Sequence, residues 1–482
     1  MQLAHNELLL TSGWIDGVGI DSARQFTVVN PATLQVVAEV SDLDASHVRD
    51  AIAAASRALA RWKDAPLEER LTAIHRWAEL ISRNVADLAT IICAENGKPL
   101  REAKGEILQC AALLRWFAER AEYLQGTDLP TQDSGQRNST IKQPIGVVAC
   151  ITPWNFPAAA VIVKAGAAIA TGCTTIVKPS DATPLIALAF ARLAERAGIP
   201  AGVYNVLPCK NPADIGHELC ISPDVRMLSF TGSTKVGKQL YVACGDTVKR
   251  LALELGGNAP FIVFDDADLE KALDGAVGAR FYNSGQICVG ANRYLVQQGI
   301  YTEFATRLAA RVAKLRAGDG FDDASDIGPM INRAAIERLS RLVATATSMG
   351  AELLTGGGQD DTSTLFFQPT VLAAMTPDMP AYDAEIFGPI ACLYEFSDEA
   401  EALQMANATQ AGLAAYVYSS DARRLERCAL ALEAGVVGVN SAHIFANDLP
   451  FGGIKQSGLG REHGLDCLDE YVEIKSICAA PA

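Results

Sequence analysis

The chain is expected to be an α/β protein built on parallel sheets, and three observations predict it. From residue 145 onward, short β-branched apolar runs alternate with helical patterns, as right-handed βαβ units require. After residue 258 the same alternation starts again, so a second α/β unit follows the first. The length, 482 residues, fits more than one hydrophobic core.

Before the first unit, residues 44 to about 122 read as helices. Apolar positions recur at helical spacing in ASHVRDAIAAASRALARW and in EERLTAIHRWAELI. Gly97 and Pro99 punctuate before a further helix running through Trp116 and Phe117. The polar stretch GTDLPTQDSGQRNST (126–140) reads as a linker or a protruding hairpin arm. IGVVACI (145–151) has the apolar continuity of a buried parallel strand. A small-residue helix at 158–170 follows, then TTIVK (174–178), a helix at 185–198, GVYNVL (202–207), VRMLSF (225–230) and a helix at 233–244. The second unit runs through PFIVF (260–264), a helix beginning in DDADLEKALDGAVGARFY, NRYLVQ (292–297) and the long helix YTEFATRLAARVAKLRAG. No sequence repeat relates the two units. Near the end, EYVEIKSI (470–477) alternates as a strand does.

Composition excludes several classes. With 56 Asp+Glu against 41 Lys+Arg, the net charge is −15, which argues against a nucleic-acid or anionic-membrane partner. The 12 cysteines lack disulfide-like spacing, and Cys93, Cys150 and Cys173 sit in apolar stretches, so a reducing cytoplasmic location is expected. MQLAHNELLL has no basic n-region, and no apolar run approaches membrane-spanning length. The six histidines, at 5, 47, 75, 217, 443 and 463, show no ligand spacing, so no metal is expected.

Five segments carry candidate chemistry. FTGST (230–234) ends a strand and opens a helix, so Gly232 and the free N–H groups around Ser233 suit an anion; an ordinary capped helix start explains it equally. Cys288, in NSGQICVGANR, lies on a turn between Gly285 and Gly290; a reactive thiolate or a buried structural thiol both fit. Glu254, in LELGGN, suits a general base with a raised pKa, or is a solvated or salt-bridged carboxylate. Asn155, in PWNFP (153–157), is either an oxyanion donor or part of a Pro-rich turn. Lys178, in KPS (178–180), is placed to meet a ribose or a phosphate. All five are expected at the carboxyl ends of parallel strands, where open α/β sheets bind ligands.

These segments, with EIFGP (385–389) and PFGGIKQSGLGRE (450–462), resemble the aldehyde dehydrogenase superfamily over residues 10 to 478. The spacing from Glu254 to Cys288, 288 − 254 = 34 positions, is part of that resemblance. The succinate-semialdehyde dehydrogenase branch is the most similar, through GKPL, RMLSFTGST and LELGGNAPFIVFDDADL.

The resemblance implies two Rossmann-like parallel-sheet domains plus a β oligomerisation arm. The NAD-binding domain would comprise 1–122, 142–255 and 442–464, the catalytic domain 256–441, and the arm 123–141 and 465–482, giving a homodimer or homotetramer. Cys288 would attack the aldehyde, its backbone N–H and the Asn155 amide would hold the oxyanion, and Glu254 would activate water against the thioester. Thr152, Trp154, Lys178, Ser180, Asp181, Gly232, Ser233, Val236, Glu385 and Phe387 would line the cofactor site. Asp181, three residues after Lys178, would accept from a ribose 2′-OH and repel a 2′-phosphate, so NAD is the expected cofactor. The branch grips the substrate's distal carboxylate with two arginines and a serine; the matching positions here are Val163, Tyr282 and Phe445. With Ile287 and Val289 they imply an apolar or aromatic aldehyde rather than a semialdehyde. Gly290 replaces the second cysteine common in the branch, which excludes a disulfide at that pair. A CoA-acylating enzyme usually lacks the Glu254 equivalent, and the full set of Cys288, Glu254, Asn155 and Lys178 argues against a non-catalytic binding protein.

Overall fold

The computed structural model describes residues 1–130 and 136–480. The chain opens with two antiparallel hairpins, β1 (Gly13–Ile15) with β2 (Val18–Ile20) and β3 (Gln25–Val29) with β4 (Val36–Ser41). Helices α1 (Ala45–Trp62), α2 (Leu67–Arg83), α3 (Val85–Asn96) and α4 (Leu100–Ala121) follow. Asp44 starts α1 by accepting from Ser46 N at 3.0 Å. Gly97 ends α3 at φ 89°, and a Cβ there would lie 2.6 Å from Pro329, so the turn into Lys98 needs glycine.

Next come β5 (Asp128–Leu129), β6 (Arg137–Pro144), β7 (Val147–Ile151), α5 (Pro157–Val161), α6 (Ala167–Ala170), β8 (Thr174–Lys178), α7 (Leu185–Ala197), β9 (Tyr204–Val206), α8 (Pro212–Ile221), β10 (Val225–Thr231), α9 (Thr234–Ala243) and β11 (Arg250–Glu254). The expected single helix over 158–170 is broken by a π-helical stretch, Ile162–Gly166, between α5 and α6. Such bulges turn a side chain off the regular helical face; here Lys164 reaches Ser229 and Glu462.

The second half holds β12 (Ala259–Val263), α10 (Leu269–Phe281), β13 (Ala291–Gln297), α11 (Tyr301–Val312), α12 (Arg333–Ser348), β14 (Glu352–Thr355), β15 (Thr370–Ala373), β16 (Ile390–Phe396), α13 (Glu399–Asn407), β17 (Ala411–Gly412), β18 (Ala414–Tyr418), α14 (Ala422–Ala431), β19 (Val436–Val439), β20 (Ile454–Lys455), β21 (Gly458–Leu459) and β22 (Val472–Ala479).

Two sheets organise these elements. The first has the order β2-β1-β9-β8-β7-β10-β11-β21, and the second β14-β15-β16-β13-β12-β18-β19. Strands β7, β8 and β12 are buried along their whole length, as parallel strands covered on both faces must be. In the first sheet the chain winds from β7 through β8 to β9 on one side, and from β10 to β11 on the other. The order therefore reverses between β7 and β10, and a crevice opens beyond their carboxyl ends. A third sheet has the order β22-β6-β5. There β22 pairs with β6 from Val472↔Pro144 to Ala479↔Arg137, so β6 runs past the anticipated boundary at 141. The arm's residues 131–135 and 481–482 lie outside the described residues. Among the described residues no helix is long and apolar enough to cross a membrane.

Candidate active site

The loop after β7 carries Asn155, and buried polar groups fix its backbone. Lys98 Nζ and Asn283 Nδ2 donate to Asn155 O at 2.8 and 2.9 Å. The Asn155 amide donates to Gln286 O at 3.0 Å, tying it to the turn that leads into Cys288. Lys98 is itself paired with Glu106 at 2.6 Å, both side chains fully withdrawn from water, and Glu106 also accepts from Ala158 N and Ala159 N at the start of α5. Removing one member of such a pair strands the other charge. Lys98→Met is therefore expected to destabilise the protein by about 3–5 kcal/mol, read as a lowered urea midpoint.

The Cys288 turn is backbone-strained. Asn283, Ser284 and Gly285 take φ of 47°, 58° and 74°, the first two without the freedom of glycine. The surroundings hold them there. Asn283 N donates to Glu102 at 2.9 Å and Ser284 Oγ to Gly328 O at 2.9 Å. The buried Arg280 guanidinium donates to Gly285 O, Gly388 O and Ala291 O at 2.9–3.1 Å. Cys288 is half-buried, whereas the other cysteines except the exposed Cys478 are buried. A Cβ on Gly257 would lie 2.2 Å from Cys288 O, so the β11–β12 link runs directly against the Cys288 backbone.

Two expectations about this cysteine change. First, Cys288 does not follow a strand: it precedes β13, as Glu385 precedes β16. The site forms where the carboxyl edge of the first sheet faces the amino edge of the second. Second, the surroundings do not favour a resting thiolate. Burial, then the Glu254 and Glu385 carboxylates, push its thiol up.

Glu254 ends β11 and is buried, accepting from Gly453 N at 3.2 Å. Burial, then the neighbouring Glu462, raise its carboxyl well above the usual range against the pull of Lys164. A carboxyl raised in this way suits proton exchange with water.

Eight of the ten candidate cofactor residues lie at or after strands β7, β8 and β10 of the first sheet, and Glu385 and Phe387 precede β16 of the second. Thr152 is buried at the end of β7 with an unpartnered Oγ1. Lys178 ends β8, buried, and its ammonium takes no protein hydrogen-bond partner among the described residues. Ser180 Oγ accepts from Ala182 N at 3.3 Å, and Asp181 pairs with Lys210 at 2.8 Å. Gly232 follows β10. Ser233 caps α9, accepting from Val236 N at 3.4 Å, with Val236 40% exposed on its outer face. Glu385 accepts from Gly257 N at 3.1 Å, and burial raises its carboxyl to about 7. Phe387, at φ 45°, sets its ring edge-on to Trp154 with centroids 5.5 Å apart. An orphaned buried hydroxyl, an ammonium without a protein partner among the described residues and a helix N-terminus fit a ligand carrying phosphates and hydroxyls.

The five candidate substrate residues do not all gather at one mouth. Tyr282 stacks on Phe156 with centroids 6.1 Å apart, and Phe445 lies 4.8 Å from Phe451. Val163 is buried in the π-helical stretch and Ile287 is buried in the Cys288 turn. Val289 instead packs in the core of the second sheet, its carbonyl accepting from Tyr416 Oη at 3.0 Å. Cys288, partly buried, packs against the same cluster.

The aldehyde dehydrogenase family model matches residues 18–477. The chain belongs to that family. It is 46% identical over 476 residues to the succinate-semialdehyde dehydrogenase [NADP(+)] of Escherichia coli (strain K12), covering 99% of this chain and 98% of that one. It is 46% identical over 477 residues to the glutarate-semialdehyde dehydrogenase of Pseudomonas putida, with coverage of 99% and 98%. The solved structure of an E. coli NADP-dependent enzyme superposes with a TM-score of 0.98 at 45% identity, covering 99% of this chain and all of that one. As an aldehyde dehydrogenase the chain is an oxidoreductase with a nicotinamide cofactor. Sequence reasoning missed several residues that shape this dehydrogenase's site: Lys98, Glu106, Lys164, Arg280, Glu462 and Lys210. A lysine or arginine inside an otherwise apolar run, as in VIVKAGAA and GARFY, was the available signal for Lys164 and Arg280.

Proposed function

We propose that this enzyme oxidises an aldehyde to a carboxylic acid through a covalent thioester on Cys288. The observation that carries the reading is the Gln286–Cys288 turn held between the Asn155 amide and the Gly257 backbone, with Glu254 at the end of the adjoining strand. The Cys288 thiol loses its proton to solvent and the resulting thiolate adds to the carbonyl carbon. The oxygen becomes an oxyanion held by the Cys288 N–H and the Asn155 side chain, and such donors are worth about 10²–10³ in rate. A nicotinamide held in the crevice would supply the hydride acceptor. Glu254 then takes a proton from the water that hydrolyses the thioester, with Lys164 nearby to offset its charge. Lys178 and Glu385 would hold the cofactor's riboses, and Gly232 and Ser233 its pyrophosphate.

We infer that NAD is preferred but that NADP is also used. Asp181 suits a 2′-OH, yet its pairing with Lys210 offsets the repulsion a 2′-phosphate would meet. The E. coli relative carries NADP(+) in its name, which weighs against strict NAD dependence.

For the substrate, the relatives' names favour a short semialdehyde with a distal carboxylate over the apolar or aromatic aldehyde expected from single positions. The aromatic reading keeps one observation on its side, the Tyr282–Phe156 stack where the related branch has an arginine. A panel of succinate semialdehyde, glutarate semialdehyde, benzaldehyde and hexanal, each with NAD and NADP, decides. The semialdehydes are expected to lead in kcat/KM by about tenfold, equivalent to 1.4 kcal/mol, with NAD ahead of NADP. Benzaldehyde ahead of both semialdehydes would install the aromatic reading instead. Exposed Ile474 and Ile477 on β22 suit pairing with a second subunit, in line with a homodimer or homotetramer.

A further inference from the structure

Two buried amides meet at one carbonyl in the turn before Cys288. Gln286 O accepts from the Asn155 amide at 3.0 Å and from the Asn283 amide at 3.3 Å. Asn283 Nδ2 also donates to Asn155 O at 2.9 Å. Its two amide hydrogens therefore bridge the loop after β7 to the Cys288 turn, across 128 positions of sequence. Asn155, by contrast, uses one amide hydrogen on Gln286 O, and its second has no protein acceptor among the described residues. Because the amide group is planar, fixing the first hydrogen fixes the direction of the second. That second hydrogen is the one left for a substrate oxygen.

Asn283 holds its place against two local penalties. Its φ of 47° is left-handed, a region that asparagine enters more readily than most residues but not freely. Its side chain is fully buried, and Oδ1 takes no hydrogen-bond partner among the described residues. Neither feature stabilises the fold, and strain of this kind gathers at functional sites. The neighbours grip the Asn283 backbone as well as its amide. Glu102 accepts from its N–H at 2.9 Å, and its carbonyl accepts from Gln286 N at 3.1 Å and from Gln286 Nε2 at 3.3 Å. The turn can thus persist without the side chain. Lys98 Nζ, 2.8 Å from Asn155 O, would still hold the Asn155 backbone, so losing the bridge loosens the aim of the Asn155 amide and little else.

We propose that Asn283 is a positioning residue for the oxyanion donor: by tying together the Asn155 carbonyl and the carbonyl that the Asn155 amide grips, it aims the remaining Asn155 N–H at the reacting oxygen. This rests on the oxyanion role given to Asn155 above and adds that the role depends on a second asparagine acting through the first. An oxyanion donor works by being in place before charge develops, so a small error in its direction weakens the transition state more than substrate binding. Addition of the thiolate and hydrolysis of the thioester both pass through an oxyanion. Loss of the bridge therefore slows both steps, unlike loss of the Glu254 base, which spares the first.

The test is a double-mutant cycle on the full-length enzyme: Asn155→Ala, Asn283→Gly and the two combined. The readouts are kcat, KM, the pre-steady-state burst of reduced cofactor with the fastest aldehyde of the panel, and cofactor affinity by fluorescence titration. Glycine adopts a φ of 47° without strain, so the substitution deletes the amide and spares the turn. Asn155→Ala is expected to lower kcat by about 10²–10³-fold and Asn283→Gly by about 10–100-fold, with a slowed burst in each. KM and cofactor affinity are expected to stay within about threefold, and the combined variant to be no slower than Asn155→Ala alone. Losses that multiply would overturn the proposal, because Asn283 would then act independently of Asn155. So would wild-type kcat in Asn283→Gly beside a slow Asn155→Ala. Wild-type kcat in Asn155→Ala would instead remove the oxyanion role itself, and the inference with it. Should the glycine variant fail to fold, Asn283→Asp, which keeps the shape but has no amide hydrogens, takes its place in the same cycle with the same expectation.

Discussion

Cys288→Ser is expected to lower kcat by more than about 10⁴-fold while cofactor affinity stays within a factor of about three. The hydroxyl is a poorer nucleophile than the sulfur, and nothing at this turn is arranged to deprotonate it. The turn itself should persist, because its strained residues are held by Glu102, Gly328 and the Arg280 guanidinium rather than by the thiol. Cofactor titration by fluorescence separates loss of chemistry from loss of fold. A variant retaining a tenth of wild-type kcat would remove residue 288 from the reaction. In the wild type, the burial that pushes this thiol up has a further consequence. The rate of the first turnover is expected to climb with pH, since attack needs the ionised form.

Glu254→Gln is expected to cost about 10²–10⁴ in kcat and to change the kinetic pattern. The amide cannot take a proton from water, so hydrolysis of the thioester slows while its formation continues. A stopped-flow burst of reduced cofactor close to one per active site, followed by a nearly flat steady state, is the expected trace. Sign matters for the pH dependence. Glu254 has its carboxyl raised by burial and by Glu462, and it acts as a base only when ionised. Steady-state kcat in the wild type is therefore expected to fall as pH drops through that raised value, and this limb should disappear in the glutamine variant. A burst-free variant with unchanged pH dependence would place the base elsewhere.

Much of the fold was legible because its information is local. Short apolar strands such as VVACI and TTIVK are bounded by turn residues and separated by helices, and this pattern alone gives parallel units. Asn155, Glu254, Cys288 and Lys178 were legible as chemistry for a similar reason, since glycines and prolines set them at element ends. The π-helical stretch was not, because small residues such as those of 158–170 satisfy a regular helix equally well, and only Lys164 reaching Glu462, 298 positions away, reveals the departure. Lys98 and Glu106 looked like ordinary polar residues on helices. Their burial comes from packing against the Asn155 loop, a contact across 57 positions that no periodicity encodes. The placement of Cys288 beside a strand's beginning rather than its end followed from how the two sheets face each other, which lies beyond any local pattern.

The link from β11 to β12 has an evolutionary consequence. Glu254 and Gly257 are three residues apart, within about 10 Å of extended chain, and Gly257 abuts the Cys288 carbonyl. The spacing of Glu254 and Cys288 thus rests on a three-residue link and one packing contact against the Cys288 backbone. Sequence drift that loosens the packing of the two halves elsewhere will reshape the entrance, and with it the range of aldehydes admitted, long before it disturbs the reacting atoms. A scaffold wired in this way is free to explore new substrates while keeping one unchanging reaction.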